Sequence, residues 1–201
     1  MLSATLINGH RPLRRSFECG TSLVEVLVTL LIVAFGLLGL AGLQSKISMA
    51  ESESFQRSQA VMALQEIMER MEANRANIAA YQVAGTVGTG DAQPANCTGI
   101  AQGPARDLCE WSNSLKGSGE VVGGNRVGGM LNAVGCIIQV QPLIATPGVC
   151  QTGVYQVSVA WQGMSPTAVS GLACGAGAYG ANDAYRRVIS ANVSVGTTTC
   201  F

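Results

Sequence analysis

Histidine is almost missing from this chain of 201 residues, in which His10 is the only one. It lies near the N-terminus, ahead of a long apolar run, so the rest of the chain contains no histidine. That excludes Ser-His-Asp and Cys-His catalysis there, and it excludes the usual histidine ligands of catalytic zinc. The other candidates for hydrolysis are acidic residues, whose spacing does not converge and which we interpret as solvated loop charges: Asp91, Asp107, Glu110, Glu120 and Asp183. The sequence therefore predicts no enzymatic activity, no metal site and no cofactor.

Charged side chains are also scarce, at 12% of the chain, and the formal net charge is zero. Arg11, Arg14, Arg15 and Glu18 are the charged residues of the first 20 positions, so nine basic and eleven acidic side chains follow them. No basic field that would attract phosphates is expected. The composition argues against nucleic acid as a partner.

Cysteine, in contrast, is frequent. Cys19 precedes the apolar run, and the other six cysteines lie in the distal half without a CxxC motif: Cys97, Cys109, Cys136, Cys150, Cys174 and Cys200. This set predicts three disulfides in an oxidising compartment, with buried free thiols as the alternative. Because short loops close most easily, we expect Cys97 to pair with Cys109 and Cys136 with Cys150, which leaves Cys174 for Cys200.

A long apolar segment extends from Val26 to Ser45 without a charged residue. Its twenty residues would span roughly 30 Å as a helix, the hydrocarbon thickness of a bilayer. The arginines lie on its N-terminal side, so residues 1–20 are predicted to be cytoplasmic and the rest exported. An ordinary secretory signal has a shorter apolar region and ends in an A-x-A-like cleavage site, neither of which is seen here. A lipoprotein signal places its cysteine after the apolar run, whereas Cys19 precedes it, so lipidation of Cys19 is not expected.

Glu25 is an acidic residue placed directly against this apolar run. A carboxylate carried into a bilayer costs on the order of 3 kcal/mol unless it is paired. Glu25 is therefore expected either to find a partner in the membrane or to lie at the headgroups.

The string RRSFECGTSLVEVLV, residues 14–28, resembles the class III signal of type IV prepilins. The resemblance implies cleavage by a prepilin peptidase between Gly20 and Thr21, N-methylation of Thr21, and a role for Glu25 as the family's assembly glutamate. In that role its carboxylate neutralises the terminal amine of a neighbouring subunit, so that the two charges pair only when the helices stack in register. Thr21 departs from the phenylalanine most common in the family, and Glu18 and Cys19 are unusual inside a leader. The implied organisation is a leader at 1–20, a transmembrane and assembly helix at 21–45, and an exported head at 46–201.

After Lys46 the apolar pattern continues at helical spacing, which predicts a helix that ends near Asn74. The predicted apolar stripe consists of Val61, Leu64, Met68 and Met71, and Met62 is also interpreted as a core residue. Charge pairs four residues apart, Glu53 with Arg57 and Glu66 with Arg70, would support the helix.

The distal half mixes glycine-rich stretches with short periodic segments. Residues 85–104 and 117–129 are predicted to be loops, and residues 107–115 a short helix with Leu108, Trp111 and Leu115 on one face. Strands are predicted at 134–140, 154–161 and 187–195, the second of which alternates strictly between apolar and polar residues. The fold class is α+β: a long N-terminal helix packed on a small antiparallel sheet, with loops held by disulfides, which is also the pilin architecture that the resemblance implies.

Several segments are similar to the PilV family of minor pilins, also described as type IV pilus modification proteins: SLVEVLVTLLIVAFGLLGLAGLQ, FQRSQAVMALQEIMERMEANR, VYQVSVAWQG, LACGAGAYG and YRRVIS. This resemblance implies a minor-pilin complex that primes type IV pilus assembly, lies at the pilus tip and presents an adhesin. The implied partners are other minor pilins and the major pilin, the prepilin peptidase, the inner-membrane assembly platform, a tip adhesin and membrane lipid. The implied location is the bacterial inner membrane and then the pilus at the cell surface. A minor pseudopilin of a type II secretion machine and a membrane-anchored binding module are the alternatives.

Overall fold

The computed structural model describes residues 20, 22–119, 121–123, 125–126, 129–146 and 148–196. The chain divides into two compact units, Met1–Lys46 and Ile47–Phe201. Helix α1, Leu23–Ala73, contributes to both units.

The described part of the first unit consists of residues 20 and 22 and the N-terminal part of α1. Its side chains are exposed throughout. Within the described residues α1 is the one helix long and apolar enough to cross a membrane, with a mean hydropathy of 2.7 over its most apolar window. This agrees with the predicted membrane segment in length and composition.

The second unit contains a four-stranded antiparallel sheet in the order β1-β4-β7-β8. Its strands are β1 (Val87–Gly88), β4 (Val134–Gln141), β7 (Gly153–Gln162) and β8 (Arg186–Val195). Two small hairpins flank it, formed by β2 (Val121–Val122) with β3 (Asn125–Arg126), and by β5 (Ile144–Thr146) with β6 (Val149–Gln151). Helix α2 is Pro104–Leu115, and short 3-10 helices lie at Arg75–Tyr81 and Ala181–Asp183. The three predicted strands and the predicted short helix are confirmed. Strand β1 and the β2–β3 hairpin lie in stretches predicted to be loops, and the β5–β6 hairpin lies between two predicted strands, where the sequence predicts no element.

The core lies between the inner face of the sheet and the two helices. From β7 the alternating residues Tyr155, Val157, Val159 and Trp161 are buried, as their pattern predicts, and Val193 and Val195 of β8 join them. From α2 the buried residues are Leu108, Trp111 and Leu115, which again form the predicted face. The α+β architecture is therefore confirmed for the head, and it is the one that the prepilin resemblance implies.

The buried face of α1 differs from the predicted stripe. Its buried apolar residues are Ala60, Ala63, Leu64, Ile67 and Met71, with Met68 partly buried. Val61 and Met62, both expected in the core, are 38% and 59% exposed. The reason is that two alanines allow the sheet and α2 to lie close to this side of the helix, so the packed face is centred on small residues that a search for large apolar side chains passes over.

The disulfides agree with the prediction in one place and not in another. Cys97 is bonded to Cys109, as expected for the short loop. The predicted pairs Cys136 with Cys150 and Cys174 with Cys200 are wrong, because Cys136 is bonded to Cys174. Cys136 lies on the outer face of β4, and the loop after β7 folds back over that face. This fold brings Cys174 next to Cys136, although the loop between them is longer than the one to Cys150. Cys150 is also disulfide-bonded, and Cys200 lies outside the described residues.

Candidate functional site

The predicted cleavage and assembly residues lie at the beginning of α1. Gly20 is exposed, and apart from its chain neighbours no described atom lies within 4 Å of the position that a Cβ would take there. The carbonyl of Ser22 accepts the backbone N–H groups of Glu25 at 2.9 Å and Val26 at 3.2 Å, which starts the helix. Thr21 and the predicted leader residues 1–19 lie outside the described residues.

Glu25 lies in the first turn of α1 and is exposed. The N-terminal end of a helix carries the positive end of its dipole, so a carboxylate is favourable there. The next charged residue in the chain is Lys46. Glu25 is thus the one charge at the start of an otherwise uncharged apolar surface.

No described residue of its own unit covers that apolar surface. From Leu23 to Leu43 the large apolar side chains are between 46% and 81% exposed. A continuous apolar surface of this length is not stable in water and requires lipid or other apolar helices around it. Apart from the backbone of their own helical turns, no described atom lies within 4 Å of the Cβ positions of Gly36, Gly39 and Gly42, so these glycines leave room for close approach of another helix.

In the head, α1 is joined to α2 by a cluster of charged side chains around Arg70. Its Nη1 donates to Asp107 Oδ1 at 3.1 Å and to Glu110 Oε2 at 2.6 Å, and its Nη2 donates to Glu66 Oε1 at 2.8 Å. Arg106 Nε donates to Glu110 Oε1 at 2.8 Å. The predicted pair of Glu66 with Arg70 is present, but Asp107 and Glu110 are not the solvated loop charges that sequence reasoning expected.

The charge cluster shifts the titration of its members. Hydrogen bonds from Arg106 and then from Arg70 hold the pKa of Glu110 below its usual range. Burial, together with a hydrogen bond from the Tyr81 hydroxyl to Asp107, raises the pKa of Tyr81 to about 12. The carboxylates are engaged by donors, so the cluster fixes two helices together.

Asp91 also differs from its predicted role as a solvated charge. Its Oδ2 accepts the Gly88 N–H and the Ser112 hydroxyl, each at 2.7 Å, and its Oδ1 pairs with Lys116. Burial alone would raise the pKa of Asp91, but these hydrogen bonds lower it. Asp91 therefore fixes the turn after β1 against the end of α2.

Asp183 and Arg186 organise the loop that follows β7. The carboxylate of Asp183 accepts the backbone N–H groups of Gly177 and Tyr179 and lies 3.3 Å from Arg186 Nε. The guanidinium of Arg186 is buried and donates to the carbonyls of Ser170, Leu172 and Cys174. Asp183 is thus engaged rather than solvated, and Glu120, the last of the five predicted loop charges, lies outside the described residues. The sequence predicts no role for Arg186, because nothing in its neighbourhood distinguishes it from Arg187, which is only partly buried.

One comparison with known proteins bears on these features. Residues 42–112 match the family model described as Tt1218-like: Type IV pilin Tt1218. The match supports a type IV pilin. It covers the end of the apolar segment, the head part of α1, the Cys97–Cys109 loop and most of α2, which includes the charge cluster around Arg70. No curated protein and no solved structure shows a significant match to the chain.

A match to a type IV pilin suggests assembly with other pilins. The exposed apolar part of α1 agrees with a membrane-anchored pilin of this kind. The match does not extend to Gly20 or Glu25, nor to strands β4, β7 and β8 of the sheet.

Proposed function

We propose that this chain is a minor pilin of the PilV kind, made as a prepilin and cut after Gly20. Cleavage exposes the amine of Thr21, which is then methylated, and the chain remains in the inner membrane with its head on the periplasmic side. It joins other minor pilins in a complex that primes assembly of the major pilin and lies at the pilus tip, where it presents an adhesin. Its role is structural rather than enzymatic.

The observation that carries this proposal is the position of Glu25. The carboxylate lies in the first turn of a helix whose large apolar side chains are exposed from Leu23 to Leu43. The helix dipole favours a carboxylate at this end, but a simple anchor does not require one, and an unpaired carboxylate that is carried into the bilayer costs up to about 3 kcal/mol. Pairing with the terminal amine of a neighbouring subunit removes that cost in one helix register only, which gives Glu25 a role in assembly.

The head contributes a rigid body rather than a reactive site. Two disulfides and the charge cluster around Arg70 fix its loops and helices on the sheet. Loops held by a rigid scaffold are suitable recognition surfaces, which supports a role in contacting other minor pilins and an adhesin.

The test is replacement of Glu25 with Gln, which keeps the shape of the side chain and removes its charge. We expect the variant to be processed and retained in the membrane, and to copurify with the other minor pilins about tenfold less than the wild-type chain, the ratio that corresponds to about 1.4 kcal/mol of lost pairing. Glu69→Gln is the matched control, since Glu69 is an exposed acid on the head part of the same helix.

The outcomes separate the alternatives. Undiminished copurification and wild-type pili in the Glu25→Gln strain would remove the assembly role and leave a membrane-anchored binding module. Loss of protein secretion with normal pili, after deletion of the chain, would assign it to a type II secretion machine instead.

A further inference from the structure

Cys150 forms a disulfide bond, and its partner lies outside the described residues. The other four described cysteines form two bridges with one another. The chain has two further cysteines, Cys19 and Cys200, neither of which is described. The partner of Cys150 within the chain is therefore one of these two.

The register of the sheet favours Cys200. The first residue of β7, Gly153, lies opposite the last residue of β8, Val195. Cys150 is three residues before Gly153, and Cys200 is five residues after Val195. Extended chain covers up to about 3.5 Å per residue, so five residues reach about 17 Å, enough to bring Cys200 to Cys150 from the end of β8. A disulfide needs Cα atoms roughly 4.4 to 6.8 Å apart, which this reach allows.

Cys150 is also held at this end of the sheet. It lies in β6, and one residue, Thr152, separates β6 from β7. The side-chain amide of Gln141 donates to the carbonyl of Thr152 at 2.8 Å, and that of Gln151 donates to the carbonyl of Pro142 at 3.1 Å. These bonds fix the base of the β5–β6 hairpin beside the start of β7. Cys150 itself is exposed, so the core of the head does not shield it from a second thiol.

The other candidate, Cys19, precedes the proposed cleavage site at Gly20. Under the proposed function it is removed with the leader and lies before that on the cytoplasmic side, where thiols are kept reduced. The exclusion of Cys19 therefore rests on the proposed function, whereas the register of β7 and β8 is independent of it.

We infer that Cys150 and Cys200 form a third disulfide in the head, and that this bridge fixes the end of β8 to the β5–β6 hairpin. Among the described strands β8 pairs with β7 alone, so it is an edge strand. The end of a strand that is held on one side opens more easily than the middle of a sheet. A bridge across the loop that contains β7 and β8 limits this opening.

Formation of the bridge requires an oxidant in the exported compartment. The two thiols lose two protons and two electrons as the S–S bond forms, and the electron acceptor is a disulfide of a thiol–disulfide exchange protein. One cysteine thiolate attacks that disulfide and forms a mixed disulfide with the exchange protein. The other cysteine thiolate then displaces the exchange protein, which leaves as a dithiol.

Peptide mapping of the wild-type chain tests the bond directly. The chain is recovered from its native membrane without reducing agent, its free thiols are alkylated, and it is digested with trypsin and chymotrypsin at slightly acidic pH. Cleavage after Leu143 and Tyr155 separates Cys150 from the other cysteines, and cleavage after Arg187 separates Cys200. We expect peptide 144–155 to be linked to peptide 188–201, and reduction to release both.

Substitution of the pair tests its effect on the sheet. In the full chain carrying both Cys150→Ser and Cys200→Ser, the backbone amides of residues 188–195 should exchange with deuterium about tenfold faster than in the wild-type chain. The matched control carries Cys97→Ser and Cys109→Ser, which removes a bridge between α2 and the loop before it. This control should speed exchange in α2 and leave β8 unchanged.

The outcomes are distinct. A link from Cys150 to Cys19, or alkylated Cys150 and Cys200 in the wild-type chain, overturns the bond. Equal exchange of β8 in the wild-type chain and the Cys150→Ser, Cys200→Ser variant overturns its role in holding that strand. The N-terminus of the same sample is sequenced, so a chain that begins at Thr21 without the bond leaves the proposed processing standing, and a chain that retains Met1 shows failure of the proposed function separately.

Discussion

The indole Nε1 of Trp111 donates a hydrogen bond to the backbone carbonyl of Ala63, 2.9 Å away, where α2 crosses the head part of α1. Both residues are buried, and Trp111 is fully so. The small side chain of Ala63 is what lets the indole reach the helix backbone. Trp111 also lies against Gly135 of β4, so this one side chain connects α1, α2 and the sheet.

Replacing Gly135 with Ala should destabilise the head strongly. A Cβ at this position would lie 2.1 Å from Trp111 Cη2, so either the indole or β4 must move. We expect a loss of about 3 kcal/mol in the free energy of unfolding, at the upper end of the usual cost of overpacking, measured by urea unfolding of the full chain in detergent. Gly99→Ala is the control, with no atom within 4 Å of its Cβ position, and should be near neutral.

The same clash can be tested from the other side of the contact. In a Trp111→Leu background the Gly135→Ala substitution should cost much less, because the atoms that the new Cβ would meet are gone. Equal costs in the two backgrounds would show that the strand, not the indole, limits position 135.

Replacing Arg70 with Gln should loosen α2 from α1. The substitution removes the ion pairs of Arg70 with Asp107, Glu110 and Glu66. Because all three carboxylates are partly exposed, we expect the free energy of unfolding to fall by about 1 to 2 kcal/mol at neutral pH. Arg75→Gln, which removes an exposed arginine outside any ion pair of the described residues, should change stability by less than about 0.5 kcal/mol.

The effect of Arg70→Gln should depend on pH in a definite direction. The folded-state pKa of Glu110 lies below its usual value, so its contribution to stability is present above the unfolded-state pKa and is lost as the pH falls through the folded one. The wild-type chain and the variant should therefore converge in stability as the pH falls below the usual glutamate pKa of about 4.3 and then through the lower folded-state pKa of Glu110. A difference that persists after Glu110 is protonated would show that Arg70 acts through packing of its aliphatic part rather than through charge.

The two described disulfides should contribute unequally to stability. Cys136 and Cys174 are 38 residues apart, and Cys97 and Cys109 are 12 apart. From loop-closure entropy we expect the Cys136–Cys174 bridge to contribute about 4 kcal/mol to the free energy of unfolding and the Cys97–Cys109 bridge about 3 kcal/mol. Unfolding of the paired Cys→Ser variants measures both values, and peptide mapping without reduction should recover these two pairs and no link between Cys136 and Cys150.

The features that could be predicted from sequence are those set by local periodicity. The alternation from Tyr155 to Trp161 needs no knowledge of the neighbouring strands, and the spacing of Leu108, Trp111 and Leu115 defines a helix face by itself. The pairing of Cys97 with Cys109 follows in the same way from their short separation in the sequence.

The features that could not be predicted depend on contacts between distant parts of the chain. Glu53 and Arg187 are 134 residues apart, and Arg70 and Asp107 are 37 apart. Helical spacing predicts a pair of Glu53 with Arg57, and loop length predicts a bond between Cys136 and Cys150. Both predictions are wrong because neither takes account of the order of the strands in the sheet. The prediction that Val61 and Met62 lie in the core is also wrong. Helical spacing alone does not show which side of α1 the sheet covers.

The central claim is that the chain is a processed pilin, and its N-terminus tests this most directly. The chain would be recovered without reducing agent from membranes of cells that have active prepilin peptidase, and its intact mass and N-terminal sequence determined. We predict a chain that begins at Thr21, carries a methylated amine, and has a mass lowered by the hydrogens lost in three disulfides. A chain that retains Met1 in such cells would contradict the claim, and α1 would then be the anchor of an unprocessed membrane protein.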